Sequence, residues 1–258
     1  MAAYQSFASV YDRLMDNIPY DRWTDYIEGL LNEFGEVPKG SLVLDLACGT
    51  GNITERLASR GFDMIGVDNS SDMLDIANEK KTENDSNSLY LLQDMTEFEL
   101  YGTVAAAVSI CDSINYLLSG EEVVQCMKLV NNYLDPEGIF VFDFNTDYYY
   151  KNVVGDSSIS EVRDDVAFIW ENEYDPEERI NSLYLTLFLR EDKDEYYRRY
   201  DELHLQRGYD LSEIKKCIEL SGLVFEAAFD AFTREEPKSD SERIYVVARE
   251  AGKKALKP

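Results

Sequence analysis

Between Leu42 and Asn145, short apolar runs alternate with amphipathic stretches. The runs 42–47, 62–68, 89–93, 104–110 and 139–144 have the length and the Val, Ile, Leu and Phe content of buried strands. The stretches 52–59, 71–80 and 121–133 follow helical spacing. Ser70 and Ser71 before Asp72 mark a helix start, and Gly61 marks a stop. This alternation predicts right-handed crossovers and a parallel sheet covered on both faces, an α/β fold.

The flanks read differently. Residues 4–34 predict two helices interrupted at Ile18-Pro19-Tyr20; the first carries Phe7, Val10, Tyr11 and Leu14, the second Trp23, Tyr26, Ile27, Leu30 and Leu31 on one face. After Asn145 the period changes to two. Leu183, Leu185, Leu187 and Leu189 alternate with Tyr184, Thr186 and Phe188, while Asp175-Pro176-Glu177-Glu178 and Glu191-Asp192-Lys193-Asp194 read as turns. Residues 160–208 are therefore expected to form a three-stranded antiparallel insertion. A helix through Leu211, Ile214 and Ile218 and strands at 223–230 and 244–248 complete the chain, the two strands joined by the polar stretch 234–243. The expected units are a helical segment at 1–36, a core built from 37–150 and 209–250, the insertion at 151–208 and a frayed tail at 251–258.

Charge narrows the function classes. The 258 residues carry a formal net charge of −26, which excludes bare nucleic acid and anionic membrane as partners. A hydrophobic share of 45% excludes a disordered acidic tail. Residues 1–160 hold 27 acids and 9 bases, residues 161–258 hold 24 and 16, so the architecture is expected to change near 150–160. Four scattered cysteines and one histidine assemble no metal site by the usual spacing rules, and they read as reduced thiols of a cytoplasmic protein. No secretion signal opens the chain, and the apolar run 104–111 is too short to span a bilayer.

The segment with the clearest chemistry is Val43-Leu44-Asp45-Leu46-Ala47-Cys48-Gly49-Thr50-Gly51-Asn52, a strand, a glycine-bearing turn and a helix start. Glycines there let backbone approach a ligand, and the helix presents unpaired N–H groups. Asp68 ends the second strand, where a carboxylate can take both hydroxyls of a ribose; Asp94 with Met95 ends the third, beside an adenine. A dinucleotide fingerprint wants G-x-G-x-x-G, but the window from Gly49 ends in Thr54 and the window from Ala47 ends in Asn52. The pattern is off for NAD.

Asp-Leu-Ala-Cys-Gly-Thr-Gly, Gly66-Val67-Asp68 and Gln93-Asp94-Met95 resemble the first motifs of class I S-adenosylmethionine-dependent methyltransferases. The resemblance extends through Tyr-x-x-Phe-Ala-x-Val-Tyr-Asp-x-Leu-Met from Tyr4, Pro19-Tyr20-x-x-Trp23, Cys111-Asp112-Ser113-Ile114-Asn115-Tyr116-Leu117 and His204-x-Gln206-Arg207-x-Tyr209, covering nearly the whole chain. These segments are similar to a bacterial subgroup of small-molecule methyltransferases. The resemblance implies a Rossmann-like, seven-stranded, mostly parallel sheet with helices on both faces and an inserted small antiparallel sheet. It implies S-adenosylmethionine as cofactor, held by Tyr20, Trp23, Asp45, Ala47, Cys48, Gly49, Gly51, Asp68, Asn69, Met73, Asp94, Met95, Cys111, Asp112 and Ser113. Many relatives have glycine where this chain has Ala47. Tyr4, Tyr11, Tyr20 and Trp23 would belong to a lid over the cofactor, although ordinary helix packing explains Tyr11 as well.

His204, Arg207 and Tyr116 are the candidate catalytic residues. His204 has the right ordinary pKa for a general base, and its parity places it with Tyr200 and Gln206, opposite Leu203, Leu205 and Arg207. A structural histidine is the competing reading. Arg207 can hold an anionic substrate group or form a salt bridge. Cys48 and Cys111 have no base near enough to make either a nucleophile. The expected activity is methyl transfer to a small-molecule acceptor by a monomer or homodimer. A NAD-dependent oxidoreductase and a non-catalytic S-adenosylmethionine-binding regulator are the alternatives.

Overall fold

The computed structural model describes residues 8–190 and 196–253. The expectations placed on Tyr4, Phe7, the turn at 191–194 and the last five residues lie outside the described residues.

Strands β1 (Leu42–Leu46), β2 (Asp63–Asp68), β3 (Leu89–Leu92) and β4 (Val104–Ser109) follow the predicted runs closely, while β5 (Leu134–Asn145) begins five residues before its predicted run. With β10 (Leu223–Asp230) and β11 (Arg243–Glu250) they form a seven-stranded sheet in the order β10-β11-β5-β4-β1-β2-β3. Four of the six pairings are parallel, β4–β5, β4–β1, β1–β2 and β2–β3; β11 pairs antiparallel with both β5 and β10. Chain order reverses between β1 and β4. In an open sheet that reversal leaves a crevice beyond the carboxyl ends of those strands.

Side-chain alternation sorts the strand residues into two cores. Phe140, Phe142 and Phe144 of β5 join Leu44 and Leu46 of β1 under α5 (Gly120–Tyr133) and α6 (Leu211–Ser221). Ile139 and Val141 join Val43, Ala106 and Val108 under α2 (Tyr20–Gly35) and α3 (Asn52–Ser59). A one-residue slip would exchange the two sets, so the period-two pattern also sets the register. α4 (Ser71–Glu83) starts where Ser70 accepts a hydrogen bond from the Met73 N–H at 3.3 Å. Ser119 and Glu122 form a reciprocal capping box on α5.

The inserted sheet has four strands, one more than the sequence predicts: β6 (Ser158–Val162), β7 (Val166–Asp175), β8 (Ile180–Arg190) and β9 (Tyr197–Arg207), all antiparallel. β6 escapes notice because every residue of this short edge strand is exposed, so no apolar period marks it. Leu183, Leu185 and Leu187 turn to one face, as their alternation predicts, and pack with Val166 against Val10 and Leu14 of α1 (Ala8–Leu14). Each such burial stabilises by roughly 1.5–3 kcal/mol, enough to seat a two-turn helix that would not persist alone. Asp12 of α1 in turn accepts from Thr50 at 2.8 Å and Asn52 at 2.6 Å and pairs with Lys80 at 2.6 Å. α1 therefore bridges the insertion and the core.

The chain leaves and rejoins the core at one place. Thr146 bridges Tyr209, and the Asp147 N–H donates to the Tyr209 carbonyl at 3.2 Å. Asn115, fully buried, donates to the carbonyls of Asn145 at 2.8 Å and Arg207 at 2.7 Å and accepts from the Asn145 N–H at 2.8 Å.

Candidate active site

Two cavities open at the carboxyl ends of β1, β2 and β4. The first, about 330 Å³, lies over the turn that follows β1. The second, about 510 Å³, lies between the N-terminal helices and the inserted sheet. Tyr11, Tyr20, Cys111 and Tyr116 line both, so the two chambers share a wall.

The first chamber is built largely by backbone. After Asp45, the chain turns through left-handed conformations at Ala47 (φ 60°), Gly49 (φ 54°) and Gly51 (φ 74°). Nothing lies within 4 Å of where a Cβ on Gly49 would stand, so a ligand can approach the chain directly there. Asp68 receives the Gly49 N–H at 2.8 Å and the Ser70 N–H at 2.9 Å, one on each oxygen, which aims its carboxylate along the chamber. Burial raises its pKa, and those two donors oppose the shift. Asp45 is 2% exposed and accepts the Thr54 hydroxyl at 2.6 Å. Burial pushes its carboxyl up to about 7 against the Thr54 hydrogen bonds, and Asp68 adds to the rise. Burial also lifts the Cys48 and Cys111 thiols well above their ordinary value, so neither is a thiolate at neutral pH.

The second chamber is built by side chains from distant segments. Cys111 (φ 65°) and Asp112 (φ 54°) form a two-residue left-handed corner after β4, a conformation that costs about 1–3 kcal/mol per non-glycine residue. An ion network holds that corner. Arg243 donates to Asp112 at 2.7 Å and to fully buried Asp143 at 2.9 Å, Asp143 accepts the Asp112 N–H at 2.8 Å, and Gln206 donates to Asp112 at 2.7 Å. Arg243 also lies over the Trp23 ring, 5.4 Å from its centroid. From β9, His204 is 3% exposed, with Nδ1 3.3 Å from the Tyr116 hydroxyl and Nε2 3.4 Å from the Glu202 carboxylate.

The predicted residues divide between these places. Asp45, Ala47, Cys48, Gly49, Asp68, Asn69, Met73, Met95, Cys111 and Ser113 line the first chamber; Tyr20, Cys111 and Tyr116 serve both. Trp23 belongs to the wall of the second chamber, stacked on Phe232 at 5.2 Å, and so does Asp112. Gly51 lines neither: its missing side chain makes room for Tyr90, whose hydroxyl would stand 2.4 Å from a Cβ. Asp94 also lies outside both walls; its Oδ1 accepts the Thr96 N–H at 2.7 Å and hydroxyl at 2.6 Å, and its Oδ2 accepts from Asn69 at 3.5 Å. Arg207 faces away from both chambers, paired with Glu213 at 2.8 Å and lying over the Tyr209 ring. The salt-bridge alternative is the one the structure shows. Asn115, Asp143, Glu202 and Arg243 were not singled out by the sequence, although Asn115 lies inside the 111–117 motif.

Known proteins give this geometry its family. A model described as "Methyltransferase domain" matches residues 43–138. The chain is 37% identical over 249 residues to "Putative methyltransferase YqeM" of Bacillus subtilis (strain 168), covering 96% of this chain and 97% of that one. A crystal structure of an S-adenosylmethionine-dependent methyltransferase from Clostridium acetobutylicum ATCC 824 matches with a TM-score of 0.86 at 29% identity, covering 97% of this chain and 100% of that one. The dTDP-3-amino-3,4,6-trideoxy-alpha-D-glucopyranose N,N-dimethyltransferase of Streptomyces venezuelae is 31% identical over 106 residues, 41% of this chain and 43% of that protein. The chain belongs to the S-adenosylmethionine-dependent methyltransferases. Its cofactor is S-adenosylmethionine, which sets aside the NAD-dependent and non-catalytic readings. The first chamber suits that cofactor, with open backbone at Gly49 and an oriented carboxylate at Asp68. No helix among the described residues is long and apolar enough to cross a membrane.

Proposed function

We propose that the protein methylates a small molecule held in the second chamber, with the cofactor in the first. The observation that supports this reading is the shared wall of Tyr11, Tyr20, Cys111 and Tyr116, which brings the two ligands together where the sheet ends. When bound, the cofactor supplies a methyl group on a sulfonium, already activated for transfer. The protein's part is to orient the acceptor, exclude water and take away a proton.

Asp68 binds the ribose hydroxyls in this reading, and Met73 and Met95 flank the adenine. α1 and α2 act as the lid, with Tyr11 and Tyr20 over the junction. His204 is the general base. The Glu202 carboxylate lies 3.4 Å from Nε2 and favours a proton there, which leaves Nδ1 to accept from the Tyr116 hydroxyl. A proton leaving the acceptor at the junction is taken by Tyr116, whose own proton passes to His204, and Glu202 stabilises the resulting imidazolium. Glu202 acts through His204 and is a positioning residue.

Calorimetry with S-adenosylhomocysteine and with NADH, followed by a substrate screen for S-adenosylhomocysteine release, tests this reading. We expect binding of S-adenosylhomocysteine alone and turnover with a small acceptor; a protein that releases product only with a macromolecular acceptor would overturn it.

A further inference from the structure

The charge and hydrogen-bonding chemistry of the larger chamber restrict what it can hold. Among the described residues of its wall, Arg243 is the one group of fixed positive charge, and two carboxylates already neutralise it. Asp112 and Glu161 also line the wall, Asp143 stands behind Arg243, and Glu202 stands behind His204. Glu161 is paired with Arg163, which also binds Asp16. Among the described residues, no side chain of fixed positive charge in the wall is left for a phosphate or a carboxylate. An anionic ligand would enter a net-acidic, partly dry space at a Coulombic cost that water does not screen.

The remaining wall favours the opposite sign. Phe168 and Trp170 present aromatic rings, the surfaces that hold ammonium groups by cation–π attraction. In the floor, Asn181 is 1% exposed. Its Nδ2 donates to Asn172 at 2.9 Å, while its Oδ1, among the described residues, has no hydrogen-bond partner. A buried carbonyl oxygen of this kind costs about 1–3 kcal/mol unless a donor reaches it. Both observations call for a ligand that is cationic or rich in donors.

We infer that the acceptor is a small primary or secondary amine bearing no phosphate or carboxylate, methylated on nitrogen. This rests on the assignment of the second chamber to the acceptor. It also separates this chain from the Streptomyces venezuelae relative, whose named substrate carries a nucleoside diphosphate. The step balances as follows. The incoming ammonium loses one proton through Tyr116 to His204. The freed nitrogen pair forms the C–N bond while the S–C bond breaks, its electron pair remaining on sulfur as S-adenosylhomocysteine forms. The methylated product is again an ammonium, and His204 returns its proton to solvent.

The chain's two tryptophans, Trp23 and Trp170, both line this chamber, so intrinsic fluorescence reports its occupancy. Benzylamine, benzoate and benzyl phosphate share a phenyl ring and differ in the charge they carry. Titrated into the full chain with S-adenosylhomocysteine present, benzylamine is expected to bind at least about tenfold more tightly than either anion. Binding of benzoate or benzyl phosphate as tightly as benzylamine, or binding of none of the three, overturns the inference. S-adenosylhomocysteine binding, read separately by calorimetry, shows independently whether the first chamber is the cofactor site. A folded Asp112→Asn variant should narrow the preference severalfold, and an unchanged preference also counts against the inference; if it does not fold, the wild-type ranking decides.

Discussion

The two chambers are made in opposite ways. The first is shaped by main-chain turns at the ends of three neighbouring strands, so its walls come mostly from short segments near residues 45–53, 67–73 and 93–95. The second is assembled by side chains from α1, α2, the 113–116 turn, β7, β8, β9 and the start of β11, segments separated by up to 230 residues. A wall made of backbone is hard to alter by substitution and serves a ligand that does not change. A wall made of side chains can be rewritten residue by residue while the first stays intact. The comparison predicts that the chambers can be damaged separately.

His204→Ala should give the largest effect, lowering turnover by about 10²–10⁴-fold, the usual contribution of a general base, while S-adenosylhomocysteine affinity measured by calorimetry stays within a few-fold. If only the melting temperature moves, the histidine is structural. Asn115→Ala should follow. Loss of three buried hydrogen bonds should cost about 2–4 kcal/mol in denaturant unfolding and loosen the second chamber more than the first. Equal losses at both chambers would break the separation.

Asp68→Ala should weaken cofactor binding by roughly 1.5–3 kcal/mol and leave the fluorescence response to benzylamine unchanged, which sharpens the contrast from the other side. Asp45 offers a test by pH. Its carboxyl is held near 7, above the ordinary value, so it is neutral in acid and becomes an anion as pH rises through about 7. Affinity for the cationic cofactor should therefore climb between about pH 6 and 8, and Asp45→Asn should flatten the climb in pH-stepped calorimetry. The sign for stability is the reverse. A carboxyl with a raised folded pKa contributes stability that is complete below about pH 4 and lost as pH rises to about 7. The smallest effect belongs to Ala47, which sits at φ 60° without being glycine. Ala47→Gly should relieve about 1 kcal/mol of backbone strain and lose about half of that to unfolded-state entropy, a net gain near 0.5 kcal/mol in thermal unfolding.

Legibility in the sequence follows the same division. β1 through β5 and the turn after Asp45 could be read because buried parallel strands are continuous apolar runs, and a ligand-approaching turn needs glycine. The sequence places Trp23 against the cofactor, yet it lies one turn beyond Tyr20 on α2, and its ring reaches Phe232 and Arg243 instead. Asp94 stands two residues past the end of β3, where a local turn gives one of its oxygens to Thr96 and the other to Asn69. Arg207 stands on the outer face of β9, as its parity implied, and finds Glu213 there. Asp143, Glu202 and Arg243 acquire meaning only through partners that are distant in sequence or set by strand facing. β6 has no apolar face to announce it.

The Thr146–Tyr209 bridge brings the two ends of the inserted sheet side by side. Because the excursion starts and finishes at neighbouring points, its length and content can change without moving either end, and closing a longer or shorter loop there alters the entropy only logarithmically. The inserted sheet is thus an exchangeable cassette. An ancestral gene could trade it for another and gain a new acceptor in a single recombination event, and a protein engineer can cut at the same two residues.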